Sequence, residues 1–282
     1  MAVTLAMAAS LAYGLSNFVG PLLSREAPTY VILIAGQAIA LLTSAVIVAA
    51  THDALPGGAV VAAALVAGLG NAAGVAAFYR AAELGPLSIV APIGATATII
   101  PVAVGIAEGE PAGPLKLLGV VLAVAGVALA SRRPEPTRAA PAQGADPRKA
   151  VAWSLVAAGG FGVFLTFIAP ASGDGIFWAV AVSRISLLLA LVAVAGVLGA
   201  ALRAPGRELP KLAIPGLLLF GGTVAYSAAT RAGDLSVVSV IGSLFPLVTV
   251  GLAFALLGER LSRLQAVGVA CALIGVVLLS LR

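Results

Sequence analysis

Ten apolar stretches, each about as long as a membrane-crossing helix, constrain this chain more than any other feature. A helix needs about 20 mostly apolar residues to cross the hydrocarbon core of a bilayer. The stretches run approximately over residues 3–23, 28–50, 58–79, 87–107, 113–131, 150–170, 176–201, 212–230, 236–257 and 263–281. Because these runs are apolar all round, and not alternately apolar and polar, they favour helices over barrel strands. We predict an all-α integral membrane protein with about ten transmembrane helices.

The composition points to lipid as the main solvent of this chain. Of the 282 residues, 61% are hydrophobic and 10% are charged, whereas soluble domains are about 45–50% apolar and about 25% charged. The first stretch lacks the basic start of a cleavable signal peptide, so we expect it to be retained as a span. The single cysteine, Cys271, excludes an intrachain disulfide or a cysteine metal cluster.

The lysine and arginine residues are divided unequally between the two sides of the predicted bundle. The loops after odd-numbered spans hold twelve of them, and the opposite side holds three. The positive-inside rule therefore places the central loop in the cytoplasm and both termini outside the cytoplasmic (inner) cell membrane. The chain has a formal net charge of +5. Because the basic residues lie in loops beside membrane spans, as the topology of a membrane protein requires, we expect lipid and a small molecule as partners, and no nucleic acid.

A polar stretch near the middle divides the chain into two halves. Residues 131–150 are rich in proline, alanine and charge, which is typical of a flexible linker. We expect a first five-helix repeat at 1–131, a polar cytoplasmic linker at 132–149 and a second five-helix repeat at 150–282.

The two halves are related in sequence. GPLSIVAPIG at 85–94 aligns with GDLSVVSVIG at 233–242, at an offset of 148 residues. GVVLAVAGVALAS at 119–131 aligns with GVACALIGVVLLS at 268–280, at an offset of 149. Since each half has five spans, an odd number, the second copy enters the membrane from the opposite side. Such inverted repeats recur in secondary transporters, where exchange between the halves opens a central cavity alternately to each side.

The fourth and fifth spans carry the most specific part of the repeat: a small residue and serine at the start, a proline within, and a Gly-Glu-Arg loop. In the second half these are Ser236, Pro246, Gly258, Glu259 and Arg260, and in the first half Ser88, Pro92, Pro101, Gly109 and Glu110, with Pro111 in place of the arginine. This pattern resembles the EamA-type repeat of the drug/metabolite transporter superfamily over nearly the whole chain. The resemblance implies ten helices around a central cavity and transport of small organic metabolites or drug-like solutes, more often export than uptake.

Arg184 is the one charged residue deep inside a predicted span. Insertion of arginine at the centre of a helix costs roughly 2.5–3.5 kcal/mol. One interpretation is that Arg184 binds an anionic or carbonyl group of the substrate. The other is structural, with the guanidinium bonded to helix-end carbonyls or extended towards an interface. At the corresponding point of the first half stand Gly36 and Gln37.

Other polar residues within the spans are further candidates for the substrate site. The amides of Asn17, Gln37 and Asn71 either contact substrate or hold helices together by hydrogen bonds. Tyr226 and Ser243 are candidate hydroxyl groups of the cavity. Tyr79 lies near the end of its predicted span, which favours a role as an interfacial anchor.

Backbone features suggest where the helices bend and pack. Pro92, Pro101 and Pro246 each remove a backbone donor within a span, so we expect hinges or static kinks in spans four and nine. Gly70-x-x-x-Gly74 matches the small-xxx-small packing motif. Among 33 glycines such a spacing arises by chance, so the motif alone indicates little.

Two other classes of function compete with a transporter. A membrane enzyme would need paired carboxylates or a histidine-containing site within the spans, but His52 is the only histidine and lies in a loop. We therefore expect no enzyme, cofactor or metal. A membrane sensor or interaction protein, or a carrier of a lipid-linked substrate, stays open. Proton coupling and the choice between monomer and homodimer also stay open.

Overall fold

The computed structural model of the chain describes residues 1–24, 27–51, 55–107, 113–130, 146–173, 175–199, 209–232, 241–242, 244–258 and 260–279. The first half holds α1 (Ala2–Leu23), α2 (Thr29–Thr51), α3 (Gly58–Leu84), α4 (Leu87–Ala95), α5 (Ile99–Ala107) and α6 (Pro114–Ala130). The second half holds α7 (Pro147–Ala171), α8 (Ile176–Val197), α9 (Leu209–Leu212), α10 (Ile214–Ala232), α11 (Phe245–Leu257) and α12 (Arg263–Leu279). These residues include no strand, and the predicted all-α membrane fold is confirmed.

The helices differ in how easily they cross a membrane. By length and composition, α1, α2, α3, α7 and α8 are each long and apolar enough to do so. Five further apolar helical stretches are shorter. In the fourth span the reason is a 3-10 turn, Thr96–Thr98, that separates α4 from α5. It lies between Pro92 and Pro101, each of which lacks the N–H that an α-helix requires.

The second repeat starts against the end of α3. The backbone N–H of Asp146 donates to the Leu84 carbonyl at 3.0 Å, and the Asp146 carboxylate caps α7 by accepting from the Lys149 N–H at 3.2 Å. That hydrogen bond holds the pKa of the exposed Asp146 carboxyl below its usual value. These bonds place the start of α7 at the end of the bundle where α3 finishes.

The packing of the helices follows an approximate two-fold symmetry. Helices α7, α8, α10, α11 and α12 are the counterparts of α1, α2, α3, α4–α5 and α6. The packing of α3 on α7 is matched by that of α1 on α10, and the packing of α3 on α8 by that of α2 on α10. Likewise α1 packs on α11 as α4 packs on α7. The pairs α6–α12, α2–α8 and α4–α11 lie where the two halves meet.

Glycines at the helix crossings repeat this symmetry closely. A Cβ built on Gly14 would lie 2.8 Å from the carbonyl oxygen of Phe245, and one on Gly162 would lie 2.8 Å from that of Ala97. The two contacts are related by the repeat, because Gly162 lies 148 residues after Gly14 and Phe245 lies 148 residues after Ala97. Only glycine permits such a close approach of two backbones. The inverted repeat is therefore preserved in the contacts as well as in the sequence.

The Gly70-x-x-x-Gly74 spacing is part of a real crossing, although we expected little from it. A Cβ on Gly160 of α7 would lie 2.7 Å from the Gly70 carbonyl oxygen and 2.8 Å from the Gly74 Cα. The interpretation of this motif as a chance spacing was wrong. Glycines on both helices allow α3 and α7 to pack at backbone distance.

Candidate functional site

A cluster of polar side chains lies in the interior of the bundle, where α1, α2, α8 and α10 meet. Its centre is Arg184, which is 0% exposed. Arg184 is two turns into α8, roughly 12 Å from the first residue of the helix at 1.5 Å per residue. The Nη1 atom donates to Gln37 Oε1 at 2.7 Å, and Nη2 donates to Thr223 Oγ1 at 3.1 Å.

The hydroxyl group of Thr223 joins three parts of the cluster. It donates to the carbonyl oxygen of Leu219 at 2.8 Å and accepts from Arg184 and from the Tyr13 hydroxyl, the latter at 3.3 Å. A hydroxyl has one donor and two acceptor sites, so these three bonds use its full capacity. Thr223 therefore fixes the position of the guanidinium relative to α1 and α10.

Tyr13 is held in place by packing as well as by its hydrogen bond. Its ring meets that of Phe245 edge to face, with centroids 6.4 Å apart and an angle of 80° between the planes. A Cβ on Gly222 would lie 2.7 Å from the Tyr13 ring, so this glycine leaves the space that the ring occupies.

The guanidinium of Arg184 is not fully paired by these neighbours. Its Nε atom is buried and has no hydrogen-bond partner among the residues that the structure describes. The partners of Nη1 and Nη2, Gln37 and Thr223, are neutral. Since an arginine stays protonated in proteins, the cluster holds a buried positive charge that these neighbours do not neutralise.

A small crevice adjoins the cluster. It is lined by Ser16, Asn17, Ile32, Leu33, Gln37, Val75, Tyr79, Pro215, Gly216 and Leu219. Its volume of about 10 Å³ is roughly the space needed by one water molecule. Gln37 belongs both to the crevice and to the cluster, because its Oε1 accepts from Arg184. The crevice is thus a small space, lined by buried residues, beside the buried charge.

The crevice lies towards one end of the bundle. Its lining residues come from the last turns of α1 and α3 and from the first turns of α2 and α10. At the same end, Glu83 accepts from Thr29 at 2.7 Å and pairs with Arg80 at 2.7 Å, which links the start of α2 to the end of α3. Of the described residues, Arg80, Arg148, Lys149 and Lys211 lie in or beside the helix ends at this side, and we call it the basic end.

The predicted site residues are brought together only in part. Arg184, Gln37 and Asn17 lie in the cluster or the crevice. Asn71 is 2% exposed on α3 but does not line the crevice. Tyr226 is half-buried, packed near Ile241 and the start of α1. Ser243 lies outside the described residues.

The three prolines have different positions in their helices. Pro92 is buried inside α4, four residues before the 3-10 turn begins at Thr96. Pro101 lies in α5, after the turn, and Pro246 is buried in the first turn of α11. A proline in the first turn costs little, since that turn has no helical acceptor for its N–H. A role for these prolines as hinges stays a prediction.

Sequence reasoning missed Thr223 and Ser16 and misjudged Tyr79. The helix α3 continues to Leu84, five residues beyond the predicted end at 79, so Tyr79 lies inside it and is only 5% exposed. Its hydroxyl packs against Gly20 of α1. Ser16 donates to the Pro215 carbonyl at 2.8 Å and so joins α1 to α10. Neither hydroxyl lies in a motif, so no sequence signal distinguished Ser16 or Thr223.

Within the described part of the chain, no group of three or more His, Cys, Asp or Glu side chains is placed to hold a metal ion. The polar groups of the site are a guanidinium, amides and hydroxyls. The chemistry that such groups offer a solute is hydrogen bonding and, for the guanidinium, positive charge.

Comparison with known proteins identifies the family. The model of the EamA-like transporter family matches residues 1–132 and 148–281, once in each half. A solved structure titled "Crystal structure of protein" is 14% identical, has a TM-score of 0.65, and is matched over 98% of this chain and 95% of its own. It shows the same fold, and the comparison with curated proteins finds no match. The chain belongs to the EamA-like transporter family, whose members are membrane transporters.

Proposed function

We propose that this protein is a secondary transporter that moves a small organic metabolite or drug-like solute across the cytoplasmic membrane by alternating access. The observation that carries the proposal is the link between the buried Arg184 cluster and the polar crevice, through Gln37. Ligand sites in such carriers lie near the middle of the membrane between the two repeats. Here α2 and α8, which contribute Gln37 and Arg184, are counterparts in the two halves and pack on each other.

The two ends of the site differ in a way that fits a carrier closed on one side. Ser16 and Asn17 line the crevice near the basic end. Their counterparts at an offset of 148 residues are Phe164 and Leu165, and Phe164 is buried. The polar side chains at the basic end, against apolar ones at the counterpart positions, support entry of the solute from the basic end.

We further propose that the protein exports its substrate. The positive-inside rule puts the basic end in the cytoplasm, and the crevice lies at that end, so the solute enters from the cytoplasm. Cysteines at Lys149 and Arg231, in a Cys271→Ala background, test this orientation. In intact cells, an impermeant maleimide should label Arg231→Cys and not Lys149→Cys. The reverse pattern would invert the orientation and turn export into uptake.

Entrance counterflow in proteoliposomes tests the transport function. Proteoliposomes that contain the purified protein are loaded with unlabelled amino acids, nucleosides, sugars or organic acids, and uptake of the matching labelled solute is followed. We expect uptake of one chemical class that saturates with concentration. Uptake that rises linearly without saturation would indicate a pore. Absence of uptake for every solute would overturn the proposal and favour a sensor, and dependence on a pH gradient would assign proton coupling.

A further inference from the structure

The charge of Arg184 has no acidic partner in the described helices. The only acidic residue in these helices is Glu83, in the last turn of α3. Its carboxylate is already bonded to Arg80 and Thr29. Among the residues that the structure describes, this permanently charged and fully buried guanidinium is therefore held by neutral groups, and its Nε is unpaired.

A buried guanidinium of this kind is well suited to bind an oxyanion. Its planar set of N–H groups matches the two oxygens of a carboxylate, and hydrogen bonds between opposite charges are about twice as strong as neutral ones. Arg184 is also fully buried, and shielding from bulk solvent strengthens the attraction between charges. A neutral or cationic solute would leave the charge of Arg184 unbalanced.

Gln37 occupies the place that an oxyanion would take. Its carbonyl oxygen accepts from Nη1 at 2.7 Å, and its side chain lines the crevice beside Asn17. An amide oxygen carries only a partial charge, so it satisfies the geometry of Nη1 without neutralising the guanidinium. Gln37 is thus both a lining residue of the crevice and the group that a carboxylate must displace.

We propose that the substrate is a small organic anion with a carboxylate, and that Gln37 is its placeholder in the empty carrier. The proposal rests on the transport function proposed above. The carboxylate enters from the crevice, displaces the Gln37 oxygen from Nη1 and binds Arg184. When it leaves, Gln37 returns, so that Arg184 keeps a partner throughout the cycle. The crevice has room for about one water molecule, so entry of the anion requires the crevice to widen.

The first test needs no ligand. Gln37→Glu puts a carboxylate where the placeholder oxygen lies, and Gln37→Leu removes that oxygen. We expect purified Gln37→Glu to melt at or above the wild-type temperature, because a charge next to Arg184 satisfies it, and Gln37→Leu to melt below. A Gln37→Glu protein that melts below the wild type would show that the centre rejects an anion, and would overturn the proposal.

The second test uses matched pairs of acids and amides: formate and formamide, acetate and acetamide, butyrate and butyramide, benzoate and benzamide. At a hundredfold excess over its Kd, a bound carboxylate should raise the melting temperature of the wild type by about 5 °C. The exposed Arg231→Gln control should respond in the same way, and Gln37→Glu should not respond. Equal shifts with the amides, a shift that survives in Gln37→Glu, or no shift with any acid would each overturn the proposal.

Counterflow separates failure of this inference from failure of the transport function. Saturable exchange of a neutral or cationic solute, without preference for acids, would refute the anion and leave the carrier. Absence of exchange for every solute would refute the carrier, whatever the melting temperatures show.

Discussion

The α6–α12 crossing and the polar centre belong to the same bundle, but the internal repeat is preserved at the crossing and lost at the centre. At the α6–α12 crossing, a Cβ on Gly126 would lie 2.6 Å from the Gly268 carbonyl oxygen, and one on Gly275 would lie 2.7 Å from that of Gly119. The two contacts are equivalent in the repeat, because Gly275 and Gly268 lie 149 residues after Gly126 and Gly119. At the centre, Arg184 corresponds to Gly36 and Thr223 to Val75 at the offset of 148 residues.

This difference separates two kinds of constraint. At the α6–α12 crossing, a glycine on each helix lets two backbones pack closely, and both halves supply it in the same way. In the proposed carrier, a solute that binds between the halves is itself asymmetric, and one guanidinium is enough to bind one carboxylate. The polar residues of the centre differ between the halves, while the glycines of this crossing keep the offset of the repeat. In that proposal, the symmetric crossing supports the movement and the asymmetric centre determines what is carried.

The largest effect on stability is expected at a crossing. Gly160→Ala puts a Cβ against the backbone of α3 at Gly70 and Gly74, whereas a Cβ on neighbouring Gly159 meets nothing within 4 Å. Overpacking of this kind costs about 1–3 kcal/mol. We expect Gly160→Ala to unfold at lower denaturant, measured by SDS titration, and Gly159→Ala to match the wild type. Equal behaviour of the two variants would mean that the crossing is not tightly packed.

An effect of similar size on stability, together with a loss of transport, is expected when the centre is made symmetric. Thr223→Val installs the residue type of the counterpart Val75 and removes the hydroxyl that binds Arg184 and Tyr13. Leaving these buried donors unpaired costs about 1–3 kcal/mol. We expect a lower melting temperature together with weaker transport. A variant with wild-type stability and transport would show that the hydroxyl does not position the guanidinium.

A substitution in the crevice is expected to reduce transport with little change in the stability of the protein. Asn17→Leu gives α1 the residue of its counterpart Leu165 and removes a polar group from the crevice. Loss of one hydrogen bond to a solute, at about 1.4 kcal/mol, lowers transport roughly tenfold. The melting temperature of Asn17→Leu should be close to that of the wild type. The Leu165→Met control should match the wild type in both melting temperature and counterflow. Full transport by Asn17→Leu would remove the crevice from the substrate path.

The smallest effect is expected at the basic end. Glu83 is partly exposed and bonds to Arg80 and Thr29. Exposed ion pairs stabilise a fold by about 0–1 kcal/mol and are screened by salt. Glu83→Gln should therefore shift the melting temperature only slightly, and less at high salt. A large shift, independent of salt, would show that this link does more than join α2 to α3.

Hydrophobicity alone defined most of the helices, and its errors have a physical cause. The fourth span was predicted at 87–107, and α4, the 3-10 turn and α5 cover the same residues. The predicted end of the third span was too early because Arg80 and Glu83 ended the apolar run. Both residues are good helix formers, so the helix continues while the hydrophobicity falls. The end of an apolar stretch in the sequence therefore does not mark the end of the helix.

The site could be predicted only where a residue is expensive to bury. Arg184 and the amides Asn17 and Gln37 stood out because a charge or an amide in lipid needs a partner. Thr223 did not, since a threonine in an apolar helix ordinarily bonds to its own backbone, as it also does here to Leu219. Its second role depends on which helices come together at that level. That information lies in the packing and in no local pattern.

Counterflow by Arg184→Gln, with Arg231→Gln as the matched control, tests the central claim most directly. Both variants lose one arginine, but Arg184 is buried between the halves and Arg231 is exposed at the end of α10. Loss of a charge-assisted hydrogen bond costs about 1.5–3 kcal/mol, so Arg184→Gln should exchange the wild-type solute at least roughly tenfold more slowly at equal folded protein. Arg231→Gln should exchange it at the wild-type rate. Wild-type exchange by Arg184→Gln would contradict the account and place the substrate site elsewhere in the bundle.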